Sequence, residues 1–222
     1  MKKFTFIIIA ALLLAGCSQK LSLHRKDLLT VPVTREKVDL LLTEKPDNAD
    51  TGLYLYRNPT SREMVIDFYD EITGDPRITL PVLHYADTYD IPVSLAFSLA
   101  WAESRFKIRA RNDNDRSVDY GLFQLNSKTF ASLSEAEFYD PEINAKHGLA
   151  HLRFCLNEGQ DDLIALAMYN AGTYGVRTGT PYSTLKYVAR LFDYQETLER
   201  SFQDFLKDSV RIAQIMNRKT DS

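Results

Sequence analysis

From Pro92 to Ala102 the chain is almost entirely apolar: Val93, Leu95, Ala96, Phe97, Leu99, Ala100, Trp101 and Ala102 are interrupted only by Ser94 and Ser98. Proline suits the first helical position, so the segment predicts a helix opening at Pro92. A helix apolar nearly all round has to be enclosed by other elements. Helical patterns flank it on both sides. Thr60 and Glu63 have the spacing of a capping box, Met64, Val65, Phe68, Tyr69 and Ile72 share one face, and Gly74 supplies a stop. A second segment covers roughly Leu80 to Tyr89. Further on, Asp140 caps a helix that starts at Pro141 and stops at Gly159, and Asp161 and Asp162 open another that stops at Gly172. After a glycine-rich turn near Gly175 to Pro181, an amphipathic stretch from Ser183 towards Asn217 predicts one or two closing helices. The stretch from Lys107 to Asp119 is polar and rich in Asn, Asp and Arg, which predicts a long loop or a short irregular hairpin. With no strand pattern and no internal repeat, the fold class is mainly α.

The amino terminus has a different purpose. Lys2 and Lys3 precede an apolar run from Phe4 to Leu14, followed by Ala15, Gly16 and Cys17. Such a run is about half the roughly 20 residues a spanning helix needs, and it closes on small residues as a cleavage site requires. Leu14-Ala15-Gly16-Cys17 resembles a bacterial lipobox, in which the cysteine becomes the lipidated first residue. Ser18 after Cys17 corresponds to an outer-membrane address, facing the periplasm. The expected organisation is a signal peptide over 1–16, a lipidated tether over 17–58 without a clear period, a helical domain over 59–205 including closing helices, and a helical tail over 206–222. Removing residues 1–16 leaves 206 of the 222 residues, enough for one domain with a sizeable core, and shifts the net charge from −3 to −5. No basic face points to nucleic acid. The other cysteine, Cys155, sits among Leu152, Phe154 and Leu156 and is expected to be a small buried hydrophobe.

Glu103 is the candidate for the chemistry, the alternative being a core glutamate paired with Arg105 or Arg109, or one facing water at the helix end. On a helical wheel it shares a stripe with Leu95, Leu99 and Phe106, which puts a carboxyl group on an apolar face at the end of a buried helix. Burial disfavours the charged form and raises the pKa towards neutrality, as a general acid needs. Glu103-Ser104-Arg105-Phe106, Gly121-Leu122-Phe123-Gln124 and Ala167-Met168-Tyr169-Asn170-Ala171-Gly172, followed by Tyr187-Val188, together resemble the catalytic domain of the soluble-lytic-transglycosylase (SLT) family of the lysozyme superfamily. Asp140-Pro141-Glu142-Ile143-Asn144 is similar to its connecting helix, and the resemblance covers roughly Arg77 to Phe192. Each motif is weak alone; their order and spacing make the match specific.

The resemblance implies a lysozyme-like helical lobe with a cleft. There Glu103 protonates the oxygen joining N-acetylmuramic acid to N-acetylglucosamine, then deprotonates the muramic acid 6-hydroxyl to give a 1,6-anhydro end, with no metal, nucleotide or other cofactor. Gln124, Tyr169, Asn170 and Tyr187 match the family's cleft residues, and Asn112 stands where the family has a serine. Lys107-Ile108 replaces the family's Asn-Pro, and Thr173-Tyr174 replaces its Pro-Gly. The segment from Ser117 to Ser127 also resembles animal-type lysozymes, with Asp119 in the place of their second carboxylate. One alternative is therefore a hydrolase using Glu103 and Asp119; a turn-forming role for Asp119 remains open beside it. A further alternative is a lipoprotein that binds glycan or a partner protein without cleaving. The partners expected are peptidoglycan strands and, through Cys17, the membrane. His147 and His151 lie four apart on one helical face without an accompanying Glu-rich motif, and no metal site is expected there.

Overall fold

The computed structural model describes the backbone of residues 35–220 and the side chains of residues 37–207. The signal peptide and Cys17 lie outside the described residues. In chain order the elements are α1 (Arg35–Glu44), α2 (Thr51–Arg57), α3 (Arg62–Thr73), α4 (Pro76–Thr88), α5 (Val93–Ser104), β1 (Arg111–Asp113), β2 (Val118–Tyr120), β3 (Leu125–Asn126), α6 (Glu135–Phe138), α7 (Pro141–Gly159), α8 (Asp162–Thr178) and α9 (Tyr182–Thr220). The mainly α, lysozyme-like expectation holds.

Every residue from Val93 to Ala100 is buried. The apolar run of α5 is thus enclosed, packed against α4 and α9, while α7 packs on α4 and α8. Around Phe97 the core is aromatic: Tyr69 stacks on it at 4.1 Å, and Phe68 meets Phe202 at 5.0 Å.

Part of the segment expected to be a tether is folded into the core. Val38, Leu53 and Leu55 are buried in the main core. Asp50 Oδ1 accepts hydrogen bonds from Leu53 N at 2.8 Å and Val93 N at 3.3 Å, so one carboxylate caps both α2 and α5. Ser61 Oγ donates to Leu55 O at 2.7 Å. The periodicity of this stretch is hard to see because its helices have ten and seven residues, too short for a stripe to repeat.

Other boundaries moved for local reasons. The Thr60–Glu63 capping box does not form: α3 starts at Arg62, and Thr60 N instead donates to Asn58 Oδ1. A capping box does form at Ser134–Glu137, at the start of α6. The helix expected from Leu80 starts at Pro76, capped by Asp75. Gly172 interrupts α8 with φ 73° and ψ 156°, but the chain re-enters helix and continues through the expected glycine-rich turn to Thr178. The closing region is one helix of 39 residues that runs without a break across position 206.

The polar stretch after α5 becomes the outer part of a three-stranded antiparallel sheet in the order β1-β2-β3. Its register aligns Asn112 with Asp119 and Asp119 with Asn126, so three polar side chains form one row across it.

Candidate active site

Glu103 stands on the last turn of α5, which ends where Arg105 and Phe106 take left-handed φ values of 56° and 60°. Phe106 therefore leaves the helical stripe, although its ring still meets Phe97 at 6.4 Å. The Glu103 carboxyl opens onto a cleft and is otherwise packed. Its Oε1 accepts a 2.6 Å hydrogen bond from the Tyr187 hydroxyl on α9. Burial pushes the Glu103 pKa up to about 7; the Tyr187 hydrogen bond pulls it down and the nearby charge of Asp119 adds to the rise. A carboxyl group that is half protonated near neutrality can both give and take a proton.

The facing wall is the sheet and the turn that follows β2. Asp119 is held by two amides: Asn114 Nδ2 donates to its Oδ2 at 2.8 Å, and Asn126 Nδ2 donates to its Oδ1 at 2.7 Å. The turn over Gly121-Leu122-Phe123-Gln124 is tight. Gly121 has φ +76°, and a Cβ there would meet Asn144 Nδ2 at 2.3 Å and Phe138 O at 2.4 Å. Gln124 also lies at positive φ, 47°, and its Nε2 donates to Gly121 O at 2.9 Å. Asn144 of α7, 1% exposed, fixes this turn from behind. Its Oδ1 accepts from Phe123 N at 2.8 Å, while its Nδ2 donates to Tyr120 O at 3.0 Å and to Phe138 O at 2.8 Å.

From α8, Tyr169 donates its hydroxyl to Phe123 O at 3.0 Å, and Asn170 Oδ1 accepts from Thr184 Oγ1 at 2.9 Å. Glu103, Asp119, Gln124, Tyr169 and Asn170 line a cleft of about 450 Å³ together with Phe130 and His151. Glu103, Asp119, Gln124 and Asn170 also line its continuation of about 610 Å³, where Asn112 lies.

All the described candidates thus come together at one place. Two phenols, however, are engaged with the protein: Tyr187 with Glu103 and Tyr169 with Phe123. Asn144 and His151 are the residues that sequence reasoning missed here. The signal for Asn144 was an amide on a helix face shared with Ala145, Gly148, Leu149 and Leu152, all buried. His151 is half-buried in the wall of the cleft. It packs beside Tyr169 at 5.0 Å and Phe130 at 6.1 Å, and burial lowers its pKa. Among the described residues no group of three or more His, Cys, Asp or Glu side chains could hold a metal ion. Cys155 is buried, and burial pushes its thiol up to about 11, so it carries no thiolate at neutral pH.

A helical lobe that brings a half-buried glutamate and a fixed carboxylate into one polar cleft is of the lysozyme-like fold class. Residues 81–184 match the model of the Transglycosylase SLT domain, and residues 1–18 match that of the Prokaryotic membrane lipoprotein lipid attachment site. The chain thus carries a domain similar to the murein-degrading, lytic-transglycosylase type, behind a lipoprotein lipid attachment site that implies membrane anchoring. No curated protein and no solved structure matches the chain.

Proposed function

We propose that the protein cleaves the bond between N-acetylmuramic acid and N-acetylglucosamine with Glu103 as acid and then base, leaving 1,6-anhydromuramic ends. Glu103 gives its proton to the bridging oxygen as the bond from that oxygen to C1 breaks. The carboxylate then takes the proton of the muramic acid 6-hydroxyl, whose oxygen closes onto C1. No water is consumed, and Glu103 ends protonated as it began. The observation that carries this reading is the buried, Tyr187-bonded Glu103 with a pKa near 7, open to the cleft. Tyr187 acts as the positioning residue for that carboxyl; Gln124, Asn170 and Asn112 supply amides to sugar hydroxyl and N-acetyl groups. With Ser18 after Cys17, the lipid anchor lies in the outer membrane facing the periplasm.

Mass spectrometry of muropeptides released by the full chain tests the chemistry, because anhydro and reducing ends differ by one water. Glu103→Gln should lower turnover at least about a hundredfold, since it keeps the shape and removes the transferable proton. A well-folded Gln variant with near-wild-type turnover would overturn the mechanism. A second reading, hydrolysis with Asp119 as the partner carboxylate, is favoured by one observation: two amides hold Asp119 rigidly in the same cleft. Asp119→Asn separates them. Transglycosylation predicts substantial residual activity and anhydro ends, whereas hydrolysis predicts near-complete loss and reducing ends from the wild type.

A further inference from the structure

We propose that the half of the cleft lined by Arg105 and Lys107 is a carboxylate-recognition subsite for the acidic groups carried on the lactyl side chain of muramic acid. The assignment deepens the peptidoglycan-cleaving reading above and rests on it. The cleft's two halves share Glu103, Asp119, Gln124 and Asn170 but differ in charge beyond them. One half continues over Thr129, Phe130 and His151, whose depressed pKa keeps the imidazole neutral at neutral pH. The other continues over Arg105, Lys107 and Arg111. Arg111 is already engaged, with Nη2 on Asp113 Oδ1 at 2.6 Å and Nη1 donating to the Tyr120 hydroxyl at 3.2 Å. Among the described residues no carboxylate forms an ion pair with Arg105 or Lys107.

Arg105 is nonetheless held. Its guanidinium carbon lies 3.3 Å from the centre of the Trp101 ring, and Trp101 stacks on Tyr194 at 3.9 Å with planes 4° apart. Stacking fixes the guanidinium plane while its edge N–H donors stay available, the arrangement that suits a carboxylate. Lys107, two residues on across the left-handed turn, adds a second cation to the same wall. A glycan of N-acetylated sugars is neutral except at the lactyl ether of muramic acid. That ether ends either in its own free carboxylate or in a peptide bearing several. Those are the groups on such a strand that match two cations beside Glu103.

The test uses the full chain in detergent micelles with Glu103→Gln, so that bound glycan is not cleaved. Trp101 is the only tryptophan in the chain and reports binding beside Arg105 by its fluorescence. The ligands are a neutral N-acetylglucosamine tetramer, a glycan tetramer with free lactyl carboxylates, and the same tetramer carrying L-Ala-D-Glu. At low salt both acidic ligands should bind at least tenfold tighter than the neutral one, with an advantage that shrinks as salt rises. The ratio between the two acidic ligands identifies which carboxylate is read. Arg105→Gln combined with Lys107→Glu should reduce the advantage below threefold. Lys107→Glu alone, at an exposed position that leaves the Trp101 stack intact, should reduce it at least threefold. Equal binding of neutral and acidic ligands, or an undiminished advantage in both variants, overturns the subsite. Release of muropeptides by the chain with Glu103 intact is measured separately: if release fails while the charge-dependent binding persists, the cleavage reading falls and the carboxylate subsite stands.

Discussion

The Glu103 carboxyl has to be protonated to start the proposed reaction, so its environment sets the pH range of activity. Burial raises its pKa from 4.5 to about 7, and the folded chain therefore keeps a proton there that the unfolded chain releases. The contribution to stability is full below about pH 4.5, falls as pH rises from 4.5 to 7, and is flat above. Glu103→Gln should then lose activity yet melt higher than the wild type at pH 8, by at most about 3 kcal/mol of stability, less what the Tyr187 hydrogen bond contributed. Thermal melts of both proteins at pH 4 and pH 8 check the sign; a variant that is less stable only at the higher pH contradicts the assignment. Tyr187→Phe acts in the opposite direction on ionisation. Its hydroxyl favours the charged form of Glu103, so its loss should raise the pKa and move the alkaline fall of the pH–rate profile upwards. An alkaline limb that stays in place, or moves down, would show that the hydroxyl does not set the Glu103 ionisation. The stripe of Leu95, Leu99 and Glu103 made the first of these effects legible in sequence. The second was not, because Tyr187 lies 84 residues away and only the packing of α9 on α5 brings it near.

At the scale of elements, α5 was legible from its proline start and unbroken apolar run, and α7 and the first part of α8 from an aspartate cap at one end and a glycine at the other. The sheet was not. Its strands have three, three and two residues, too short for alternation to register, and they form because β1 and β3 both pair with β2. What holds the sheet and its turn to the helices is α7, through Asn144 and Gly148. A helical glycine exchanged for alanine normally gains stability, by up to about 1 kcal/mol. At Gly148 the sign should reverse, because a Cβ would lie 2.4 Å from both Cβ and Cγ of the buried Phe123. Gly148→Ala should therefore cost about 1–3 kcal/mol and, by displacing Phe123, disturb the adjoining Gln124 and lower turnover. Chemical denaturation with parallel activity assays would test this; a stabilised and fully active Gly148→Ala protein would show that the turn is not fixed by that contact.

The whole molecule does not begin where the SLT family model does. That match spans residues 81–184, yet the main core includes Val38, Leu53 and Leu55 upstream and Leu191, Leu198, Phe202 and Leu206 downstream. These outer segments hold α5 from both sides: Asp50 caps its first turn, and Glu199 on α9 accepts a 2.7 Å hydrogen bond from Ser94 Oγ in the same turn. Burial and the neighbouring Glu199 charge raise the Asp50 pKa, so this end of the helix is an exacting fit of polar groups, not a loose tether. Two amino-terminal truncations then separate length from structure. Removing residues 1–34 leaves every described helix in place and supplies the reference for the shorter protein. Removing residues 1–58 strips three buried apolar side chains and the shared cap of α2 and α5. Each buried aliphatic side chain contributes roughly 1.5–3 kcal/mol, and a cap contributes about 1 kcal/mol more. Against a total stability of roughly 5–15 kcal/mol for a domain, that loss should leave the shorter protein largely unfolded at physiological temperature. Circular dichroism melts of the two truncated proteins decide it: equal melting temperatures would mean that residues 35–58 only decorate the surface, whereas the packing around α5 requires the shorter chain to melt far lower.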